Sequence, residues 1–201
     1  MKRWQQTLLI AAFGFIGAMA GLGFALFTFG PSAVLDSEPG RWVMRTVLRQ
    51  PPPELADGRT MLEPGQKLPD LALPDLNGQA QAFSQWRGRP LLVNFWASWC
   101  PPCVREMPLL DDFAAAQEAI HGVRVIGVAL DDTDAVADFL AEHPVRFPIL
   151  IEPSGPSDTS VLLGNRRGVL PYSVLIDADG VLVRGKVGAF DHGEIEGFVE
   201  P

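Results

Sequence analysis

Pro90-Leu91-Leu92-Val93-Asn94-Phe95-Trp96-Ala97-Ser98-Trp99-Cys100-Pro101-Pro102-Cys103-Val104-Arg105-Glu106-Met107-Pro108 organises the whole chain. Residues 90–96 are almost continuously apolar, the mark of a strand buried on both faces of a sheet. A helix then runs from about Pro101 to Ile120, with His121-Gly122 closing it. Pro101 falls in the first helical turn, where a missing N–H costs nothing. Both cysteines of the chain stand at this strand-to-helix junction. The helix N-terminus supplies unpaired N–H groups and a partial positive charge, which stabilise a thiolate at Cys100 and lower its pKa. Two intervening residues bring the sulfurs near enough to bond across the turn. An exposed bridge over so short a loop is readily reduced, so the pair can cycle.

Other uses of two cysteines fit less well. Zinc needs two further ligands, and His121, His143 and His192 are scattered without ligand spacing. Covalent haem attachment needs histidine after the second cysteine, and position 104 is valine. A structural staple remains open, although closing so short a loop removes little entropy from the unfolded chain. No metal and no cofactor are expected. The formal charge of -8, from 24 acidic and 16 basic side chains in 201 residues, argues against nucleic acid, which demands clustered Lys and Arg.

Outward from the junction, Leu71–Leu73 and Ala80–Phe83 flank Asp75-Leu76-Asn77-Gly78 as a small hairpin. Ser84 is placed to cap a short helical turn ending at Gly88. Val123–Leu130 is a second buried strand, Thr133 caps a helix through Glu142, and Ser157–Leu163 holds a turn or two of helix. Tyr172–Asp177 and Val181–Val187 form a hairpin around Asp179-Gly180, and a short helix starts near Asp191. The order β-α-β-α-β-β-α predicts an α/β fold, a mixed central sheet with helices on both faces.

The first thirty residues differ from the rest. They hold Lys2 and Arg3 and no acid, so everything after them carries -10. Thr7 to Phe29 is uncharged for 23 residues, about 34 Å as a helix and enough to cross a hydrocarbon core of about 30 Å. The basic end stays cytoplasmic by the positive-inside rule, which puts the remainder across the membrane. Ala18-Met19-Ala20 has the small-x-small form of a signal-peptide cleavage site. The segment after it is still apolar, which favours a retained anchor. The division expected is an anchor over 1–30, a linker over 31–61 and one domain over 62–201. Trp42, Val43, Val47 and Leu48 lie among Arg41, Arg45 and Arg49, so this part of the linker either rests on the membrane surface or packs on the domain. Pro51-Pro52-Pro53 stiffens the chain after it.

Residues 90–108, and with them Leu68–Pro90, resemble the thioredoxin superfamily. The likeness is greatest to its membrane-anchored, extracytoplasmic TlpA/ResA/CcmG (DsbE)-like branch, and it extends over about residues 62–201. It implies a thioredoxin-like fold behind one N-terminal transmembrane helix, in the bacterial inner membrane with the domain facing the periplasm. It implies a thiol:disulfide oxidoreductase with Cys100 as exposed nucleophile and Cys103 as buried resolving thiol. Gly168-Val169-Leu170-Pro171-Tyr172 matches the loop ending in the family's cis-proline, so Pro171 is the candidate. Glu106 matches an acid that tunes thiol pKa and moves protons; read alone, it is equally a solvated carboxylate of an early helical turn. Asn94 replaces the buried aspartate of plain thioredoxin, and an amide cannot accept a proton. Trp96 and Trp99 are expected beside the site, and Pro101 and Pro102 between the cysteines influence its potential.

The partners implied are protein disulfides or dithiols and a membrane electron donor, with apocytochromes c before haem attachment as one substrate class. A disulfide oxidase or isomerase differs only in direction. A peroxidase of the peroxiredoxin type fits poorly, because Val93 and Ala97 stand where it has its proline and hydroxyl residue. A membrane-tethered interaction module with a structural disulfide is the rival outside redox chemistry.

Overall fold

The computed structural model describes residues 54, 55 and 57–200. The anchor expected over 7–29 and most of the linker lie outside these residues. Among the described residues no helix is long and apolar enough to cross a membrane.

A hairpin of β1 (Ala72–Pro74) and β2 (Ala80–Ala82) leads into a 3₁₀ turn, Phe83–Trp86. Then follow β3 (Leu91–Trp96), α1 (Pro101–Ala119), β4 (Arg124–Ala129), α2 (Thr133–Glu142) and β5 (Ile149–Ile151). The chain ends with α3 (Thr159–Leu162), β6 (Tyr172–Ile176), β7 (Leu182–Val187) and α4 (Glu194–Val199). The five-stranded sheet has the order β5-β4-β3-β6-β7. β3, β4 and β5 are mutually parallel, whereas β6 runs antiparallel to β3 and β7. The mixed sheet expected from the sequence is therefore present, with β3 at its centre.

All six residues of β3 are buried, and their alternation divides the core. Leu92 and Trp96 join Met107, Leu110 and Phe113 of α1, Val136 of α2 and Ile195 of α4. Leu91, Val93 and Phe95 join the opposite cluster with Ile126, Val128, Val174 and Ile176. The hairpin's Leu73, the 3₁₀ turn's Phe83 and Trp86, and Leu163 after α3 cover that second side. Period two places Asn94 with Leu92 and Trp96, on the side that α1 covers. This is what points an amide at the functional helix.

Close packing also fixes the start of β6. Tyr172 is buried, and its hydroxyl donates to the Leu163 carbonyl at 3.0 Å. Burial pushes its phenol pKa up to about 12, so it keeps the proton that it donates. A Cβ at Gly185 on β7 would stand 2.2 Å from the Tyr172 hydroxyl oxygen, so only glycine leaves room for that ring.

Local details correct the expectations. Ser84 lies inside the 3₁₀ turn, which starts after Ala82 without a side-chain cap. Thr133 is the first residue of α2 and not its cap; Asp132 takes that position without capping through its side chain. α3 is a single turn, and Asp158 caps it by accepting from the Val161 N–H. β5 is a strand absent from the expected order: three apolar residues behind Pro148 are too short to show a period.

Candidate active site

β3 ends at Trp96 and α1 begins at Pro101, so the cysteines stand at one edge of the sheet where the central strand becomes a helix. Cys100 is the N-cap of α1, and its Sγ accepts from the Cys103 N–H at 3.4 Å. The two residues form a disulfide with an S–S distance of 2.02 Å. Pro101 and Pro102 fill the first helical positions, where neither is asked for an N–H. The helix dipole bears on the Cys100 sulfur from within the first turn, the range over which it is effective. Cys103 is fully buried. Cys100, expected to be exposed, is only 4% exposed, because it joins the apolar cluster of Trp96, Ala97 and Met107. Trp99 is instead the open residue of the segment, at 63%.

Glu106 stands one turn beyond Cys103, near the same helix face. It is 3% exposed, so it is not a solvated carboxylate of the helix surface. Its Oε1 accepts from the Asn94 Nδ2 at 2.9 Å, and its Oε2 accepts from the Phe190 N–H at 2.8 Å. Burial raises its pKa above the ordinary 4.5, although both hydrogen bonds and the Lys186 charge oppose this; Glu194 adds to the rise. Lys186 is tied to Glu194 at 3.1 Å, donates to the Ala189 carbonyl and lies over the Phe190 ring. The carboxyl group is thus held between an amide donor on β3 and the chain after β7. Asn94 cannot itself take a proton, but it orients the group that can. Its Nδ2 also lies 3.0 Å from the Oγ of Ser173, its direct partner in the β3–β6 register.

The peptide bond Leu170–Pro171 is cis. Because Tyr172 pairs with Phe95, Pro171 lies at the end of β3 from which the cysteine segment departs. The Pro171 carbonyl accepts from the Gly188 N–H. The main chain of Leu170, just before it, makes no hydrogen bond among the described residues. Val169 beside it is 42% exposed. Trp96 is fully buried, its ring 5.2 Å from that of Phe139, and so serves the core behind the site.

A disulfide at a helix start, a buried carboxyl one turn on and an open main-chain segment before a cis-proline are together a thiol-exchange arrangement. Residues 63–199 match the profile of the redoxin family. The chain belongs to that family. Relatives of this redoxin include a thiol-disulfide oxidoreductase ResA of Bacillus cereus, 30% identical over 137 residues, 68% of this chain and 76% of the relative. ResA of Bacillus subtilis is 27% identical over 147 residues, 71% of this chain and 77% of that one. A DsbE-type thiol:disulfide interchange protein of Chlorobium tepidum superposes with a TM-score of 0.59 at 34% identity, over 66% of this chain and 91% of its own. This redoxin is accordingly a thioredoxin-like thiol:disulfide oxidoreductase.

Several residues of the redoxin site were not singled out from the sequence. Ser173 is the lone polar residue of an otherwise apolar buried strand, and that pattern was a usable signal. Phe190 contributes only a main-chain N–H, which no residue type announces. Asp131 accepts from both the N–H and the hydroxyl of Ser98, at 2.9 and 2.6 Å, and so fixes the segment between β3 and Cys100.

Proposed function

We propose that this redoxin reduces selected protein disulfides on the extracytoplasmic side of a membrane, with residues 7–29 as anchor and 62–201 as the catalytic domain. The observation that carries the proposal is the Cys100 sulfur at the N-cap of α1, facing the Cys103 N–H. In the reduced protein the Cys100 thiolate attacks one sulfur of a partner disulfide. The partner's S–S bond breaks, its other sulfur leaves as a thiolate, and a mixed disulfide forms on Cys100. The Cys103 thiolate then attacks the Cys100 sulfur and frees the second partner thiol. Two electrons pass to the partner, two protons are taken up, and Cys100–Cys103 is left oxidised. A dithiol donor in the membrane returns it to the reduced form by the reverse exchange.

Glu106 is the proton acceptor for Cys103 in this scheme, since its raised pKa brings it nearer the working pH. Leu170, with its main chain unpaired, offers an N–H and a C=O to an extended partner segment, in the manner of strand addition. Protein disulfides are therefore the substrate class, and apocytochromes c awaiting haem are one member that the family resemblance suggests.

The reduction potential of the full-length chain tests the direction. Equilibration against thiol buffers is expected to give a value near about -270 mV, that of a reductant such as thioredoxin. A value near about -120 mV, that of a strong oxidant, would reverse the assignment to a disulfide oxidase.

A further inference from the structure

The end of the sheet that bears the cysteines carries acids beyond β4 and an arginine pair before β6, with the exposed Asp191 following β7. β4 and β6 flank β3. Beyond β4 stand Asp131 and Asp132, the former fixed by Ser98. On the other side the chain approaches β6 through a tight turn, Asn165 to Gly168, closed by the Gly168 N–H on the Asn165 carbonyl at 3.1 Å. Gly168 takes a φ of 58°, which favours glycine there. Arg166 and Arg167 form the corner of that turn, and both are exposed.

This corner is anchored. Asn165 is 1% exposed. Its Nδ2 donates to the Val169 carbonyl and to the Ser160 Oγ, both at 3.1 Å, and its Oδ1 accepts from the Val169 N–H at 3.1 Å. Ser160 in turn donates to Asp158 at 2.7 Å. The Asn165 amide thus pairs with both main-chain groups of Val169, as a neighbouring strand would. That pairing leaves Leu170 as the residue with a free main chain beside Pro171. Arg167 is four residues from Pro171, so their Cα atoms lie within about 14 Å.

The charge of the corner runs against its surroundings. Residues 54–200 carry 22 carboxylates and 11 lysines and arginines. Arg59, Arg89, Arg146 and Lys186 are ion-paired with acids of the same chain. The Arg166 and Arg167 side chains, like those of Lys67, Arg87, Arg105, Arg124 and Arg184, make no ion pair among the described residues, but they are the two of these that are adjacent in one turn. They face outward beside the segment on which an extended partner would lie.

We propose that the Asn165-clamped Arg166–Arg167 turn is a specificity element that selects partner segments carrying acidic residues on the β6 side of their disulfide. The inference rests on the redox reading of Cys100 and Cys103 and names a substrate class for it. Two guanidinium groups carried on a clamped main-chain turn attract an acidic flank and repel a basic one. Asp131 and Asp132 do the reverse on the other side, so the pattern also orients the partner. An exposed charge pair is worth about two- to fivefold in affinity, and the attraction fades over a Debye length of about 8 Å at physiological salt.

The test compares two synthetic disulfide peptides, identical but for Glu-Glu or Lys-Lys next to the cysteine, as substrates of the full-length chain in detergent micelles. The expected kcat/KM ratio is about tenfold in favour of the acidic peptide, falling to about twofold or less at about 0.5 M salt. The Arg166→Glu/Arg167→Glu variant should invert the ratio, and Arg166→Gln/Arg167→Gln should bring it close to one. A ratio near one in the unsubstituted chain, or a preference unchanged in both variants, would overturn the proposal. So would loss of binding to anionic phosphatidylserine vesicles in the variants with the peptide ratio unmoved, which would assign the arginines to a lipid surface. If the unsubstituted chain reduces neither peptide, the redox reading itself fails and takes this inference with it.

Discussion

Replacing Cys100 by serine is expected to lower the reduction of insulin disulfides, with dithiothreitol as donor, by at least about a thousandfold. A hydroxyl at this place has no nucleophilic anion near neutral pH, and it cannot form the mixed disulfide through which electrons pass. The helix start that lowers the thiol pKa has nothing comparable to act on. The fold should survive the change, because Cys100 contributes a bridge across only three residues and such a loop constrains the unfolded chain little. An unchanged far-ultraviolet circular dichroism spectrum beside a dead insulin assay is therefore the expected pair of results. A protein that unfolds when Cys100 is replaced, with normal insulin reduction in any folded fraction, would make the bridge a staple.

Glu106→Gln is expected to slow exchange by about a hundredfold, the lower end of what a positioned acid or base contributes. The loss should be greatest above the raised Glu106 pKa and below the range in which a thiol ionises unaided, where the carboxylate is charged and the Cys103 thiol still needs an acceptor. The inflection that belongs to Glu106 should vanish. A surface carboxylate would move neither the rate nor the profile. The same substitution has a stability effect of definite sign. Burial raises the Glu106 pKa in the folded protein above the usual 4.5, so the folded state binds its proton more tightly than the unfolded chain does. That contribution is fully present below about pH 4.5 and is lost as the pH rises through the raised folded value. Between about pH 5 and about pH 8 the unsubstituted protein should thus lose stability relative to Glu106→Gln, which denaturant titration at the two pH values measures.

The junction at Trp96 to Pro101 was legible because strand and helix differ there in period, and the cysteines marked the boundary. The sheet was legible for the same reason: β3, β4 and β6 are long apolar runs. β5 was not, since three residues beside Pro148 look the same in a loop. Within the site, Asn94 and Glu106 were each visible as residues, but their pairing was not. It depends on the twofold period of β3 turning Asn94 toward α1, and on α1 placing Glu106 opposite it, a contact across 12 positions. The Phe190 N–H, 84 positions from Glu106, is beyond any local pattern. The exposure of Cys100 was overestimated because the cysteine segment folds its sulfur onto the first helical turn and leaves Trp99 outside.

The central claim is that Cys100 is the sulfur that meets the partner and Cys103 the one that releases it. Non-reducing electrophoresis of the full-length Cys103→Ser variant, recovered from cells with free thiols blocked, tests this most directly. The account predicts discrete higher-mass adducts that collapse to the monomer on adding dithiothreitol and are absent from Cys100→Ser. No adducts in Cys103→Ser, or adducts formed as readily in Cys100→Ser, would contradict it.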